Sequence, residues 1–267
     1  MAKLLAVTIL VIAAVSAIPI ARHTWKAPAD VSDHGPEIDH QLNDTMAEAG
    51  ACFLAGQFVL ALLIWTYAGR GREHRIGRLP GGALGMVLLA FFLVGGEVIA
   101  LGIVSSRAWS QVYFAPPRSD SVLVQVQAQQ FAFYFRYPGP DGVFGPIHPD
   151  LINDATENFF GLDQQRDAAS RDDIVTAEMA IPVNRQIHLL MHSRDLGHSF
   201  YVPALRVQQD FVPGLDLAIH FTANTIGRYE IVCTQLCGLG HYNMKAYLDV
   251  LSEPDYEAWL KKEAALQ

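Results

Sequence analysis

Two long apolar runs in the first half of the chain restrict its possible folds most strongly. They extend from Ala49 to Ala68 and from Ala83 to Val104. Each is close to the length of about 20 residues that a helix needs to cross a hydrocarbon layer of roughly 30 Å. No such run follows Val104. We therefore predict a membrane-spanning helical hairpin followed by a water-exposed domain that is large enough to bury its own core.

A third apolar segment, from Leu4 to Ile20, precedes the hairpin. Lys3 gives it a basic start, and Val15 and Ala17 are small residues with the spacing of a signal-peptidase site. The segment fits either a cleaved signal or a retained span. For residues 1–21 we therefore expect either a signal peptide or an N-terminal transmembrane segment.

The charges beside the apolar runs predict the orientation of the hairpin. The connection from Arg70 to Gly82 contains four arginines and one glutamate, which the positive-inside rule places in the cytoplasm. The stretch from Arg22 to Met46 has an acidic excess and is expected outside. We predict a hairpin with an outer N-terminal segment and a basic inner loop over residues 22–106. Residues 107–267 then form a periplasmic domain at the inner membrane of a bacterium, with membrane lipid as a partner.

The exposed domain carries most of the negative charge. The chain has a formal net charge of -8, and from Arg107 onward 19 Asp and Glu stand against 12 Lys and Arg, a net of -7. This excess favours a basic protein partner over nucleic acid or an anionic membrane surface. An acidic surface is also ordinary for soluble domains, so charge alone does not identify the partner.

The pattern after Val104 is typical of an all-β domain. Residues Val122–Tyr137 alternate apolar and polar types and predict one half-buried strand. Shorter strands are predicted at Gln186–Met191, Leu215–Phe221, Arg228–Cys233 and Lys245–Leu251. Many short strands between turns indicate a β-sandwich or barrel. Gly145–Asp173 lacks a period and is predicted to be a long surface excursion, and Ser252–Leu260 begins like a helix.

One short region concentrates the chemistry. Cys233, Cys237, His241 and Met244 lie within twelve residues, and His198 stands upstream in Asp195-Leu-Gly-His-Ser. Thiolate and thioether are soft donors and imidazole is borderline, so the set suits copper better than calcium, magnesium or manganese. Structural zinc sites close with four Cys or His ligands and do not use a weak Met donor, whereas electron-transfer copper sites do. The ligand types therefore favour copper.

The second cysteine favours two metal ions. A single blue copper needs one Cys, two His and one Met, which leaves a thiolate unused. Two thiolates that bridge two coppers, each completed by one His and one weak ligand, use every donor. A CxxxC pair alone is more often a structural or redox pair, but His241 and Met244 at ligand spacing reverse that preference. His188, His192 and His220 lack this spacing and are interpreted as surface or core histidines.

With these motifs, the chain resembles subunit II of the haem-copper cytochrome oxidases, from the hairpin to the end of the exposed domain. The resemblance implies a cupredoxin-like Greek-key barrel with the binuclear copper centre called CuA. Cys233 and Cys237 would bridge, and His198 and His241 would be terminal ligands. Met244 would be one weak ligand and the backbone carbonyl of Gln235 the other. Asp195 and the segment from Asp210 to Gly214 match motifs on the face toward subunit I.

The resemblance also implies a function. The chain would accept electrons from a c-type cytochrome at CuA and pass them to the haem of subunit I, which reduces oxygen and pumps protons, with subunit III as a further partner. This chain would be the electron-entry subunit of the oxidase and not the oxygen-reducing one. The alternative is the CuA electron-entry subunit of another respiratory reductase, such as a nitric oxide reductase. A membrane-tethered copper chaperone or sensor is a rival from another class.

Three positions depart from the family pattern. Phe131 and Phe133 stand where the family has tryptophan-rich aromatics, one of which admits the electron from cytochrome c. Gln235 replaces a common glutamate that reaches an interface magnesium ion, so we expect weaker magnesium binding. Glu97 lies inside the second apolar run, where an ionisable residue is a functional candidate by default. It would either serve proton uptake or pair with a polar group of the partner.

Overall fold

A computed structural model of the chain describes residues 1–22, 27–67 and 82–267. They form two compact units, the first made of Met1–Lys26 with Glu37–Arg107 and the second of Ala27–Pro36 with Ala108–Gln267. The arginines of the predicted basic loop fall between residues 68 and 81. That loop, and with it the charge argument for its side of the membrane, lies outside the described residues.

The first unit contains three apolar helices. They are α1 (Ala2–Arg22), α2 (Gly35–Tyr67) and α3 (Gly82–Trp109). All three are long and apolar enough to cross a membrane, and none of the described residues in the most apolar stretch of α3 is buried. A helix that is apolar on every side requires an apolar environment around it. The predicted apolar helices are therefore present, and their exposed surfaces suit contact with lipid or with other membrane helices.

Helix α2 is longer than predicted. The apolar run begins at Ala49, whereas the helix begins at Gly35. The backbone N–H of Gly35 donates to Ser32 Oγ over 2.9 Å, and Ser32 Oγ donates to Asp30 Oδ1 over 2.9 Å. A side-chain acceptor of this kind satisfies a free N–H at a helix start. Hydropathy could not detect the extension because its residues are polar.

The second unit is built on ten strands in the described part of the chain. They are β1 (Val122–Gln129), β2 (Ala132–Tyr137), β3 (Ile174–Thr176), β4 (Met179–Pro182), β5 (Gln186–Ser193), β6 (His198–Val202), β7 (Val207–Phe211), β8 (Leu217–Thr222), β9 (Gly227–Val232) and β10 (Lys245–Leu251). A helix, α4 (Glu253–Ala264), follows β10, and Ser252 caps it by accepting from the N–H of Asp255 over 3.3 Å. The predicted C-terminal helix is thus present.

The strands form two five-stranded sheets, in the orders β3-β2-β1-β5-β8 and β4-β10-β9-β6-β7. The pairs β1–β5 and β4–β10 are parallel and the others are antiparallel. Inward side chains of both sheets, such as Leu189, Phe200 and Leu248, belong to one buried cluster. Apolar helices followed by an all-β cupredoxin-like domain were predicted, and this fold class is confirmed. The strands do not close into one continuous sheet but form two sheets that pack on each other.

The prediction of one strand over Val122–Tyr137 was wrong. The segment is the hairpin of β1 and β2, with Gln129 paired to Ala132 and a two-residue turn at Gln130–Phe131. Alternation continues on both sides of the turn, so the run resembles one strand. However, the buried apolar residues change from even positions (Val124, Val126, Ala128) to odd ones (Phe133, Phe135, Tyr137), and this change of parity marks the turn.

Residues Ala27–Pro36 were not predicted to join the β domain, yet they pack on it. The N–H of Val31 donates to the carbonyl of Ala204 over 2.9 Å, and the carbonyl of Val31 accepts from Asn224 over 2.8 Å. Ser32 pairs with Ala223 as an isolated antiparallel bridge. Val31 and Ser32 are buried. This short segment therefore extends the edge of β8, although it precedes the hairpin in the chain.

The predicted excursion Gly145–Asp173 runs between β2 and β3 with only two short 3-10 turns. A buried ion pair between Arg136 of β2 and Asp173 holds its two ends. Arg136 also donates to the carbonyl of Gly145 over 2.6 Å, and the N–H of Gly145 donates to Asp173 over 3.0 Å. The excursion is therefore fixed to the sheet by its ends.

Candidate metal centre

The cysteine motif forms the connection between β9 and β10. These strands pair antiparallel, and the N–H of Cys233 donates to the carbonyl of Met244 over 3.2 Å, so the loop begins and ends at the same place. A 3-10 turn over His241–Asn243 brings the chain back. Cys233 and Met244, at the two ends of the loop, are therefore close in space although they are eleven positions apart in the sequence.

Three sulfur atoms and one imidazole lie close together in this loop. Sγ of Cys237 is 3.9 Å from Sγ of Cys233 and 3.7 Å from Sδ of Met244. It is also 3.7 Å from Nδ1 of His241. Both cysteines are free thiols, and the cysteines and Met244 are buried while His241 is partly exposed. Cys237 therefore lies at the middle of the group.

His198 reaches the same place from the first residue of β6. Its ring is fully buried, and its Nδ1 has no hydrogen-bond partner among the described residues. One ring nitrogen of His198, Sγ of Cys233 and Sγ of Cys237 lie within 4.8 Å of one another. A buried imidazole nitrogen without a partner is unfavourable unless something occupies it. A metal ion between these three residues would do so.

Gln235 lies at the edge of the group. Its backbone carbonyl oxygen is 3.2 Å from Sγ of Cys233, and its side chain is exposed. The main chain of this residue is thus near the sulfur atoms, as the expected weak ligand requires. The exposed amide side chain is free to face a partner surface.

Ionisation of the Cys237 thiol near neutral pH is unfavourable without a cation. Burial, together with the neighbouring Cys233, raises the pKa of the Cys237 thiol to about 11. Two adjacent buried thiolates repel each other, and a bound metal ion removes this repulsion and deprotonates the thiols. The donor set, with its soft sulfurs and an unpaired imidazole nitrogen, fits copper.

Asp195 holds His198 in position. Its Oδ1 accepts from Nε2 of His198 over 2.7 Å and from the N–H of Leu196 over 2.6 Å, and its Oδ2 accepts from the N–H of Gln130 over 2.8 Å. Burial acts to raise the pKa of Asp195, but these hydrogen bonds, with that from His198 the strongest, keep the pKa below its usual value. A charged carboxylate beside Nε2 keeps the proton on that nitrogen, so Nδ1 is the nitrogen that can bind a metal ion.

The turn between β1 and β2 covers the loop that connects β9 and β10 and carries the cysteines. Nε2 of Gln130 donates to the carbonyl of Cys237 over 2.6 Å. The ring of Phe131 packs so closely that a Cβ at Gly240 would lie 2.5 Å from it and a Cβ at Gly238 3.2 Å. Gly238 also has a φ of +133°, where a side chain is strained. These roles of Gln130 and of the two glycines were not predicted, and no local signal shows them.

Only one of the two phenylalanines considered for electron entry reaches the surface. Phe131 is 40% exposed, whereas Phe133 is buried and packs near Phe211 with ring centroids 6.1 Å apart. The loop between β9 and β10 itself exposes Leu236, Leu239 and Tyr242. The surface beside the cluster is therefore apolar, in contrast to the acidic charge of the whole domain.

The other predicted residues lie elsewhere in the chain. His188 and His192 are partly exposed on β5, His220 is buried on β8, and none of them joins the cluster. Asp210 is exposed on β7. Glu97 lies on α3, with its side chain exposed within this chain.

Comparison with known proteins agrees with the resemblance. The family model for the periplasmic domain of cytochrome c oxidase subunit II matches residues 157–251. An alternative cytochrome c oxidase subunit 2 of Bradyrhizobium diazoefficiens is 29% identical over 244 residues, covering 90% of this chain and 84% of the relative. Cytochrome c oxidase subunit 2 of Thermostichus vulcanus is 26% identical over 270 residues, covering 92% and 81%.

A solved structure was also found. The crystal structure of the periplasmic domain of subunit II of cytochrome oxidase of Bradyrhizobium japonicum has a TM-score of 0.42 and 22% identity, covering 57% of this chain and 99% of that one.

Proposed function

Because this chain belongs to the cytochrome c oxidase subunit II family, we propose that it receives electrons from a c-type cytochrome at a binuclear copper centre and passes them to the haem of subunit I. Its relatives are subunits of an oxidoreductase complex, and this chain would be the electron-entry subunit. Oxygen reduction and proton pumping would then take place in subunit I.

The proposal rests on the buried cluster that His198 forms with Cys233 and Cys237. Nδ1 of His198 has no partner among the described residues and lies with two buried thiols, and burial raises the pKa of the Cys237 thiol. Met244 and His241 contact the central sulfur of Cys237. A redox thiol pair would not need the buried imidazole or the thioether. A pair of copper ions would use all five side chains.

Each residue of the cluster would have a distinct role as a metal ligand. Cys233 and Cys237 would bind both ions, and His198 and His241 would each complete one. Met244 and the carbonyl of Gln235 would be the weak ligands. Copper supplies one-electron redox chemistry when it is bound. Asp195 orients His198, and the buried packing around the sulfurs excludes water, which limits reorganisation when the charge changes.

The apolar helices and the periplasmic-domain match give the proposed location. Three helices are suited to membrane anchoring, and the β domain matches a periplasmic family model. We place the chain in the inner membrane with its metal centre outside, in contact with subunits I and III and with lipid. The alternative, an electron-entry subunit of a nitric oxide reductase, has no support among the relatives described above.

Copper analysis and electron paramagnetic resonance of the full-length protein test the proposal. Purified protein loaded with copper and dialysed should retain two coppers per chain. The partly oxidised centre should give a purple colour and one unpaired spin coupled to two copper nuclei. A single blue copper, or zinc that copper cannot displace, would overturn the proposal.

A further inference from the structure

Two histidines outside the sulfur cluster lie side by side on neighbouring strands of the first sheet. Strands β5 and β8 are neighbours, and their antiparallel register places His188 directly opposite His220. The ring centroids are 6.0 Å apart and the ring planes meet at 72°. Directly opposite residues of an antiparallel pair project from the same face of the sheet, with Cβ atoms about 4.5–5.5 Å apart. The two imidazoles therefore share one surface.

His220 is a buried residue of β8. The residue is only 5% exposed, and both of its ring nitrogens lack a hydrogen-bond partner among the residues that the structure describes. A neutral imidazole has one donor and one acceptor nitrogen, and leaving both unsatisfied in the interior costs free energy. His188 is partly exposed. The pair thus combines an unsatisfied buried ring with a ring that solvent can reach.

The two rings are suited to binding a metal ion. Burial, and then the neighbouring His220, lowers the pKa of His188, which favours the neutral form that metal ions bind. Zinc binds imidazole nitrogen at about 2.0–2.1 Å, so two rings on one ion have centroids about 5–6 Å apart. The observed separation allows this after a small rotation of the side chains.

We propose that His188 and His220 form a second metal site, which takes a divalent ion of the zinc or copper(II) class. Water completes the coordination, because the structure places no third Cys, His, Asp or Glu with the pair among the residues that it describes. The site is separate from the sulfur cluster and has a lower affinity. A bound ion occupies a nitrogen of His220 and links β8 to β5, so it stabilises the domain.

Zinc titration of the copper-loaded, full-length protein tests the site. Competition with a chromophoric chelator should show one zinc per chain in addition to the copper, and zinc should raise the melting temperature. His188→Asn and His220→Asn should each weaken zinc binding by at least about tenfold, since loss of even a residue that supports a ligand costs about 10–100-fold. His192→Asn is the matched control, because His192 is on the same strand but lies 3.2 Å from Asp216, and it should bind zinc like the unmodified protein.

A spectroscopic measurement on the unmodified protein does not depend on the folding of the variants. One equivalent of copper(II), added after the copper centre is filled, should give a new resonance with coupling to two imidazole nitrogens. The proposal is overturned if no zinc binds beyond the copper, if both Asn variants keep full affinity, or if the new resonance shows fewer than two nitrogens.

Discussion

Nε2 of His198 donates a hydrogen bond to Oδ1 of Asp195 over 2.7 Å, while Nδ1 of the same ring has no partner among the described residues. The carboxylate thus determines which nitrogen can bind a metal ion. Partners of this kind typically change metal affinity by about 10–100-fold.

Asp195→Ala should lower the copper affinity by about 10–100-fold, because the ring of His198 loses the acceptor that orients it. Copper retained after challenge with a chelator measures the effect. Asp195→Asn keeps an acceptor oxygen and should recover most of the affinity. Asp216→Ala, which removes the carboxylate beside His192, should have no effect. Equal copper retention in all three variants would contradict the role of Asp195.

Cys233→Ser should leave at most one copper per chain, because a serine hydroxyl cannot replace a bridging thiolate for a soft metal ion. The coupling of the spin to two copper nuclei should disappear. Cys52→Ser, a change in α2 and outside the cluster, is the control and should retain two coppers. Two tightly held coppers in Cys233→Ser would exclude bridging.

Gly240→Ala should destabilise the loop between β9 and β10, because the new Cβ would lie 2.5 Å from the ring of Phe131. The melting temperature should fall, and the copper spectrum should change as the loop moves. Phe131→Ala removes the obstructing ring, so the double variant should be less destabilised than the sum of the two single changes. Additive losses would show that the ring and the glycine do not interact.

Asp173→Ala should lower the free energy of unfolding by about 3–5 kcal/mol, because it leaves the buried guanidinium of Arg136 without its carboxylate. Denaturant unfolding of the β domain in the full-length protein measures this loss. Glu178→Ala removes the carboxylate of the exposed pair with Arg228 and should cost about 0–1 kcal/mol. If the two variants lost similar stability, the buried pair would not anchor the excursion.

The metal-free protein should lose stability as the pH rises from about 9 to about 11. Burial and Cys233 raise the pKa of Cys237 from 9.0 to about 11, so the folded state holds a proton that the unfolded state releases in this range. This contribution to stability is complete below pH 9 and is lost as the pH rises through the folded-state pKa. Melting temperatures of the metal-free protein and of Cys237→Ser, measured across this range, should converge. Parallel curves would count against the raised pKa.

Local patterns in the sequence determined much of the architecture. The apolar runs predicted helices because every backbone hydrogen bond of a membrane span must be made within it, and the period of two predicted the strands of the β domain. The spacing of Cys233, Cys237, His241 and Met244 predicted their meeting because both ends of a hairpin loop are adjacent. Each of these inferences depends on residues that are near one another in the chain.

Tertiary packing decided what such patterns cannot show. It placed His198 of β6 against the cysteines and paired its Nε2 with Asp195, while Nδ1 has no partner within the described ranges of the chain. It put Phe131 over the loop and Phe133 in the core, and it attached Ala27–Pro36 to the edge of β8. These contacts join segments far apart in sequence, and each depends on the strand order and register of the two sheets. Sheet register is set by side-chain packing over the whole core, so no single stretch of the chain contains the information that determines it.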